Sequence, residues 1–230
     1  MLPLASEKPE MPKASRTHCI RCGECCLRGS PSLHTKDLEL IGKGNIERGT
    51  LYTIRRGELV RDNIREEMVI IDQEMIKLKE QQREKGGCAL YSEREKECLI
   101  YEKRPIQCSA LKCWDTDEFL EMHDGPKLTR REIIDDSVLC GLMTEHEKKC
   151  SYLALKKHVD EIMTIGEDAV DEILGMLKFD YYLRPFVSQK LGVPLDEMDL
   201  IFGRPLTTTV DMFGLKVIQE SDGTFCLTTK

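Results

Sequence analysis

Four cysteines fall within eight positions near the start of this chain: Cys19, Cys22, Cys25 and Cys26, in "HCIRCGECC". Four more follow at wider intervals, Cys88, Cys98, Cys108 and Cys113. A two-residue gap lets one turn point two sulfurs at one metal ion, and the amides between them can offset thiolate charge. A doubled gap, C-x2-C-x2-C, wraps three sulfurs round one corner of a multi-iron cluster, with a fourth ligand from elsewhere, as in bacterial ferredoxins. The usual x3-Cys-Pro ending of that run is absent, since "LRGSP" brings the proline without the cysteine. Neighbouring side chains diverge, so Cys25 and Cys26 serve two metals more easily than one, or one of them is spare. Eight thiols divide into two four-sulfur sites, or into one [4Fe–4S] cluster with a zinc site or a spare group.

The surroundings favour metal ligation over disulfides. The N-terminal stretch "MLPLASEKPEMPKASRTH" has no apolar run of secretory length and reads as a disordered leader over residues 1–16. No apolar run reaches the roughly 20 residues that span a bilayer. The expected location is therefore the cytoplasm, where disulfides are disfavoured and clustered cysteines serve as metal ligands or redox thiols. A net charge of −7 and 6% aromatic residues argue against nucleic acid as a partner. A protein partner is expected, and no membrane.

The coarse pattern predicts an α+β chain of two halves. A small mixed cysteine-cluster domain with short strands covers residues 17–115, and a mainly helical half with a C-terminal β-hairpin covers 116–230. In the first half, "SPSLHTKDLELIGKG" offers Ser32 or Thr35 as a helix cap, and Gly57 is a turn between two β-prone pieces. The pieces Cys88–Tyr91 and Cys98–Tyr101 read as a hairpin, and Pro105 opens a short helix. In the second half, Thr129 with Glu132 and Thr144 with Glu147 are capping-box pairs, each opening a helix. A long helix over "EDAVDEILGMLKFDYYLRPFVSQKL" is expected to end or kink before Pro185. The tail "FGLKVIQESDGTFCLTTK" reads as a hairpin.

"CIRCGECC", "GGCAL" and "CLIYEKRPIQC" followed by Cys113 resemble the CxxCxxCC family of YkgJ-like proteins, described as zinc- or iron-chelating. The resemblance covers roughly residues 17–115 and includes Cys98, Tyr101, Arg104, Pro105 and Cys108. It implies metal chelation and leaves the metal open. A similar cysteine set occurs in flagellin lysine-N-methylases, where it is associated with an iron–sulfur cluster. No glycine-rich strand-turn-helix suited to a methyl donor is present here, so that activity is not carried over.

The expected metal ligands are Cys19, Cys22, Cys25, Cys26, Cys88, Cys98, Cys108 and Cys113. The cofactor read from the doubled gap is an iron–sulfur cluster of [4Fe–4S] type, with zinc as the alternative. Arg16, Arg21, Arg28, Lys103, Arg104 and Lys112 lie near these cysteines and could offset their charge, though any single one reads as solvated surface. His18 reads as exposed, Tyr101 as core, and Trp114 as core or a shield over a cluster. Cys140, Cys150 and Cys226 read as plain buried thiols. No P-loop, G-x-S-x-G, dinucleotide or zinc-protease motif is visible, and catalysis stays open.

Overall fold

The computed structural model of the chain describes residues 17–62, 64–81, 86–220 and 223–229. The leader expected over residues 1–16 lies outside them. In chain order come helices Glu24–Arg28 (α1) and Leu38–Gly42 (α2). Strands follow at Leu51–Ile54 (β1), Leu59–Asp62 (β2), Glu67–Ile70 (β3), Met75–Leu78 (β4), Tyr91–Ser92 (β5) and Glu97–Cys98 (β6). The rest is helical: Ile106–Ala110 (α3), Asp117–His123 (α4), Arg130–Ile133 (α5), Ser137–Lys149 (α6), Tyr152–Ile165 (α7), Glu167–Leu191 (α8), Met198–Phe202 (α9) and Leu206–Thr209 (α10). Strands Leu215–Gln219 (β7) and Phe225–Thr229 (β8) close the chain as the expected hairpin. The class is α+β.

The β-prone runs on either side of Gly57 do not pair with each other. β1 pairs antiparallel with β4, and β2 with β3, so the four strands form one long bent hairpin. The bend is a turn in which the Glu58 amide donates to the Arg55 carbonyl at 3.1 Å, and the Arg55 amide donates to the Glu58 carboxylate at 2.9 Å. Side chains alternate across β1–β4 with the strand period of two. Leu51, Thr53, Ile76 and Leu78 are fully buried on one face. There they pack toward α9, with the Thr53 hydroxyl donating to the Leu200 carbonyl at 2.6 Å. Tyr52, Ile54, Met75 and Lys77 point the other way and wall a cavity.

One hydrophobic core joins Leu33, Leu51, Ile76 and Leu78 to Leu128, Ile134, Leu200 and Phe202. Each such aliphatic side chain contributes about 1.5–3 kcal/mol when fully buried. A second core gathers Tyr152 and Leu155 of α7, Ile173 and Leu177 of α8, Leu206 and Leu215.

The Thr129–Glu132 capping box is present and opens α5. The second expected box is not. Thr144 lies inside α6, where its hydroxyl donates to the Cys140 carbonyl at 2.9 Å. α6 instead starts at Asp136, whose carboxylate accepts the Leu139 amide at 2.8 Å, so "LTRREIIDDSVLCGL" makes two helices. Ser151 then caps α7. α8 also runs through Pro185 to Leu191. Proline withholds one amide, from the Tyr181 carbonyl, and Tyr181 and Tyr182 lie on an exposed side where water can replace it. Arg184, next to the proline, is pinned by Asp180 and by the Gly203 carbonyl at 2.9 Å, which holds the turn in line.

Among the three remote cysteines, Cys150 is fully buried and Cys140 half-buried. Cys226 is exposed, contrary to expectation, because strand alternation turns it outward between buried Phe225 and partly buried Leu227. Among the described residues no helix is long and apolar enough to cross a membrane.

Candidate metal centre

The cysteines sit on three short segments that the backbone locks together. In the first, Gly23 adopts φ 79° and starts α1. A Cβ at this position would collide with the Tyr91 ring, coming within 2.8 Å of its Cε2. Glycine is therefore required both by conformation and by the close approach of the second segment. That segment docks through the Cys88 amide, which donates to the Cys26 carbonyl at 2.7 Å. Gly87, at φ 107°, makes the approach possible, since a Cβ there would lie 3.2 Å from the same carbonyl. The "GGC" of the sequence is thus the footprint of backbone against backbone.

The third segment follows the two-residue strands β5 and β6, paired with Cys98 opposite Tyr91. Next, α3 carries Cys108. Its first amide, on Ile106, donates to Asp37 at 2.9 Å, and the other oxygen of that carboxylate takes the His34 amide at 2.9 Å. Asp37 is almost fully buried, which pushes its carboxyl pKa up, while the two amides oppose that rise. Asp37 was not singled out from the sequence, although "HTKD" has the spacing of a local cap. We expect Asp37→Ala to destabilise the fold by about 0.5–2 kcal/mol through loss of this double cap. Urea unfolding measures the loss, and Asp37→Asn should recover part of it. An unchanged midpoint for Asp37→Ala would refute the role.

Six of the eight expected ligands line one cavity of about 910 Å³: Cys19, Cys25, Cys26, Cys88, Cys98 and Cys108. Cys22 and Cys113 are exposed and are not among its lining residues. Among the described residues, no three Cys, His, Asp or Glu side chains stand in a finished ion-binding arrangement. Trp114 lines the cavity, and His18 is exposed.

The electrostatics of the thiols are uneven. The Cys26 thiol hydrogen-bonds to Cys25 and holds the Cys25 pKa down at about 6, against the effect of burial. The same bond pushes Cys26 up. Burial pushes Cys88 up to about 11, and the Leu90 amide pulls it back. Burial likewise raises Cys98, with the Ile100 amide opposing, and raises Cys108. Cys19 accepts the Arg21 amide at 3.4 Å. At Cys19, Cys88 and Cys98 the hydrogen-bonding amide lies two residues after its cysteine. Such amides stabilise a thiolate, whether free or metal-bound.

Arg104 is half-buried, not the solvated surface charge the sequence suggested, and its charge favours thiolates at Cys25, Cys98 and Cys108. Its guanidinium lies 4.1 Å from the Tyr101 ring centroid, and that of Arg21 lies 3.9 Å from the same ring. Arg21 also pairs with Glu102 at 2.9 Å, which ties the first cysteine segment to the third. Tyr101 is therefore a clasp between segments more than a core residue.

Three short segments thus bring six of the eight thiols to one cavity over an α+β scaffold, the arrangement of a cysteine-cluster domain. Residues 18–140 match the family model CxxCxxCC, described as a putative zinc- or iron-chelating domain, and the chain belongs to this family. The match runs past Cys113 into α6, and so includes α5 and Leu128, Ile134 and Leu139 of the first core, while Leu200 and Phe202 of that core lie outside it. No curated protein and no solved structure matches the chain.

Proposed function

We propose that the chain is an iron–sulfur protein of [4Fe–4S] type. Cys19, Cys22 and Cys25 would supply three ligands, and one of Cys88, Cys98 and Cys108 the fourth. The observation that carries this reading is the doubled two-residue gap, of which Cys19 and Cys25 line a cavity with three remote sulfurs. The donor set fits: it is all thiol, with amides and Arg104 placed to offset the charge of a thiolate-bound centre. A bound cluster would supply one-electron redox chemistry, for electron transfer, redox sensing or service to a partner enzyme. Trp114 and Ile100 would limit its contact with water. A reducing cytoplasm suits free thiols in this number.

Zinc is the second reading, favoured by the adjacent pair Cys25–Cys26 and by a thiol count that divides into two four-sulfur sites. Zinc would staple the segments and leave function to partner binding. Anaerobic purification with metal and acid-labile sulfide analysis separates the two. We expect iron, sulfide and broad visible absorption that dithionite bleaches. Colourless protein with stoichiometric zinc and no sulfide would overturn the iron–sulfur reading. Cys25→Ser should lose the metal while Cys226→Ser keeps it.

A further inference from the structure

The cavity is larger than the sulfurs need, and most of its wall carries no cysteine. Its volume of about 910 Å³ lies at the upper end of the 300–1,000 Å³ typical of small-molecule sites. The cavity face of the β1–β4 ribbon presents Tyr52, Ile54, Met75 and Lys77, with Tyr52 directly opposite Lys77 in the register. Leu59, Met68 and Ile71 from the β2–β3 arm and Phe119 from α4 line the same cavity. This apolar wall is adaptable, because two of its members are methionines.

The charged groups at this wall are few: the cations Lys77 and Arg204, and the exposed Glu80 carboxylate, whose charge also acts on Lys77 and on the Tyr52 hydroxyl. The Lys77 side chain makes no hydrogen bond or ion pair among the described residues, and burial lowers its pKa. Arg204 reaches the same end, where its charge acts on both Lys77 and the Tyr52 hydroxyl. The Arg204 guanidinium is fixed through Nε, which donates to Glu58 at 2.6 Å. Glu58 is fully buried and committed to Arg204 and the Arg55 amide, and Glu80 is exposed to solvent. Around the whole cavity stand Arg28, Arg61, Lys77, Arg104, Lys112 and Arg204, against the carboxylates of Asp62 and Glu80. That balance is opposite to the chain's net charge of −7. Two neighbouring cations beside a partly buried tyrosine, with the Lys77 ammonium unpaired among the described residues, are the recognition chemistry of an anionic head group.

We propose that this cavity binds a small organic anion. Lys77, Arg204 and Tyr52 take its carboxylate or phosphate head, and Ile54, Leu59, Met68, Met75 and Phe119 hold its apolar body. Cys26, Cys88, Cys98 and Cys108 line the same cavity as Lys77, so the bound molecule shares it with the sulfurs and with whatever they hold. In naming a ligand for the metal centre the inference rests on the reading above, while the anion subsite itself stands on groups other than thiols.

The test uses the full chain as isolated under anaerobic reducing conditions, with octanoate, octyl phosphate and the neutral octanamide as probes in calorimetry. At least one anionic probe should bind about tenfold or more tighter than octanamide, because only it satisfies the cations. Lys77→Met should erase most of that preference, leave octanamide binding unchanged and leave metal content and circular dichroism as in the parent. Lys77→Arg should restore it, and Tyr52→Phe should weaken it about threefold through loss of one hydrogen bond. Equal binding of anions and octanamide, no binding of any probe, or an anion preference that survives Lys77→Met would overturn the proposal. Metal analysis of the same sample is scored separately. Lys77-dependent anion binding by protein free of iron and zinc would support the subsite and overturn the reading of the centre.

Discussion

Asp180→Ala is expected to destabilise the fold by about 3–5 kcal/mol, the scale for breaking a buried ion pair from one side. Asp180 is fully buried in α8 and holds three elements at once. One oxygen meets His146 Nε2 of α6 and Arg184 Nη2 of its own helix, each at 2.8 Å. The other accepts the Leu206 amide at the start of α10, also at 2.8 Å. Alanine would leave Arg184 with only the partly exposed Asp199 carboxylate, at 3.3 Å, as counter-ion, and Leu206 with an unpaired buried donor. Asp180→Asn should cost less, because it keeps the shape and one acceptor while losing the charge.

The pH dependence has a definite sign. Burial alone would raise the Asp180 carboxyl, yet the His146 hydrogen bond and the Arg184 guanidinium hold it near 2, below the ordinary carboxylate value of about 3.9. Its folded pKa is depressed, so its contribution is present above the unfolded value and lost as pH falls from about 4 toward 2. Burial also lowers the pKa of His146, and its contribution is likewise lost as pH falls below its unfolded value of 6.5. Between about pH 4 and 2, where Asp180 itself titrates, parent protein should therefore lose stability more steeply than Asp180→Ala, as followed by urea unfolding. Parallel pH profiles would show that the pair does not couple to folding.

This network shows which parts of the molecule were legible in the sequence. Spacing of a few residues was readable wherever the structure-forming interaction is itself local. The Thr129–Glu132 box, the Cys88–Tyr101 hairpin and the tail hairpin all close within a dozen residues or so. The cysteine pattern was readable because sulfur spacing is set by local turns. What failed is what depends on distant partners. Asp37 caps a helix that begins 69 residues later, and Thr53 reaches the Leu200 carbonyl 147 residues away. Neither offers a local pattern pointing to its partner. Arg55 and Asp180 carry the residue types of a solvated surface, yet both are fully buried, Arg55 against Tyr152 and the Cys150 carbonyl. Thr144 and Glu147 matched a capping box by type and spacing. The box failed because Asp136 starts the helix earlier and Glu147 pairs with Arg130 at 2.9 Å, an acid–base contact across the fold. The cavity was invisible for the same reason: Tyr52 and Lys77 become neighbours only once β1 finds β4.

Removing the metal is expected to melt the cysteine segments and spare the remainder. These segments reach the first core only through Cys88 and Tyr91, with Cys26, Leu27, Leu90 and Ile100 packed against it, and their own helices and strands are short. α1 has five residues, none of them buried, and α3 buries only Ala110. β5 and β6 are two residues each, well short of what an isolated hairpin needs in water. Their docking depends on few backbone contacts, among them Cys88 to Cys26 and Leu99 to Leu90. Metal binding to thiolate sites in small domains supplies about 10–16 kcal/mol of folding free energy, so its loss outweighs those contacts. The long hairpin is different, because Leu51, Ile76 and Leu78 are sealed against Leu200 and Phe202 in a core that contains no ligand to the centre apart from Cys88 and the adjoining Cys26. Anaerobic chelation in a reducing buffer should therefore abolish hydrogen-exchange protection at the Leu27, Cys88 and Leu99 amides. Protection at Lys79, which donates to the Thr50 carbonyl, and the helical circular dichroism of α7 and α8 should persist. Retained protection at Cys88 and Leu99 in verified metal-free protein would mean that packing alone orders the three segments, and the cross-linking role of the centre would fall.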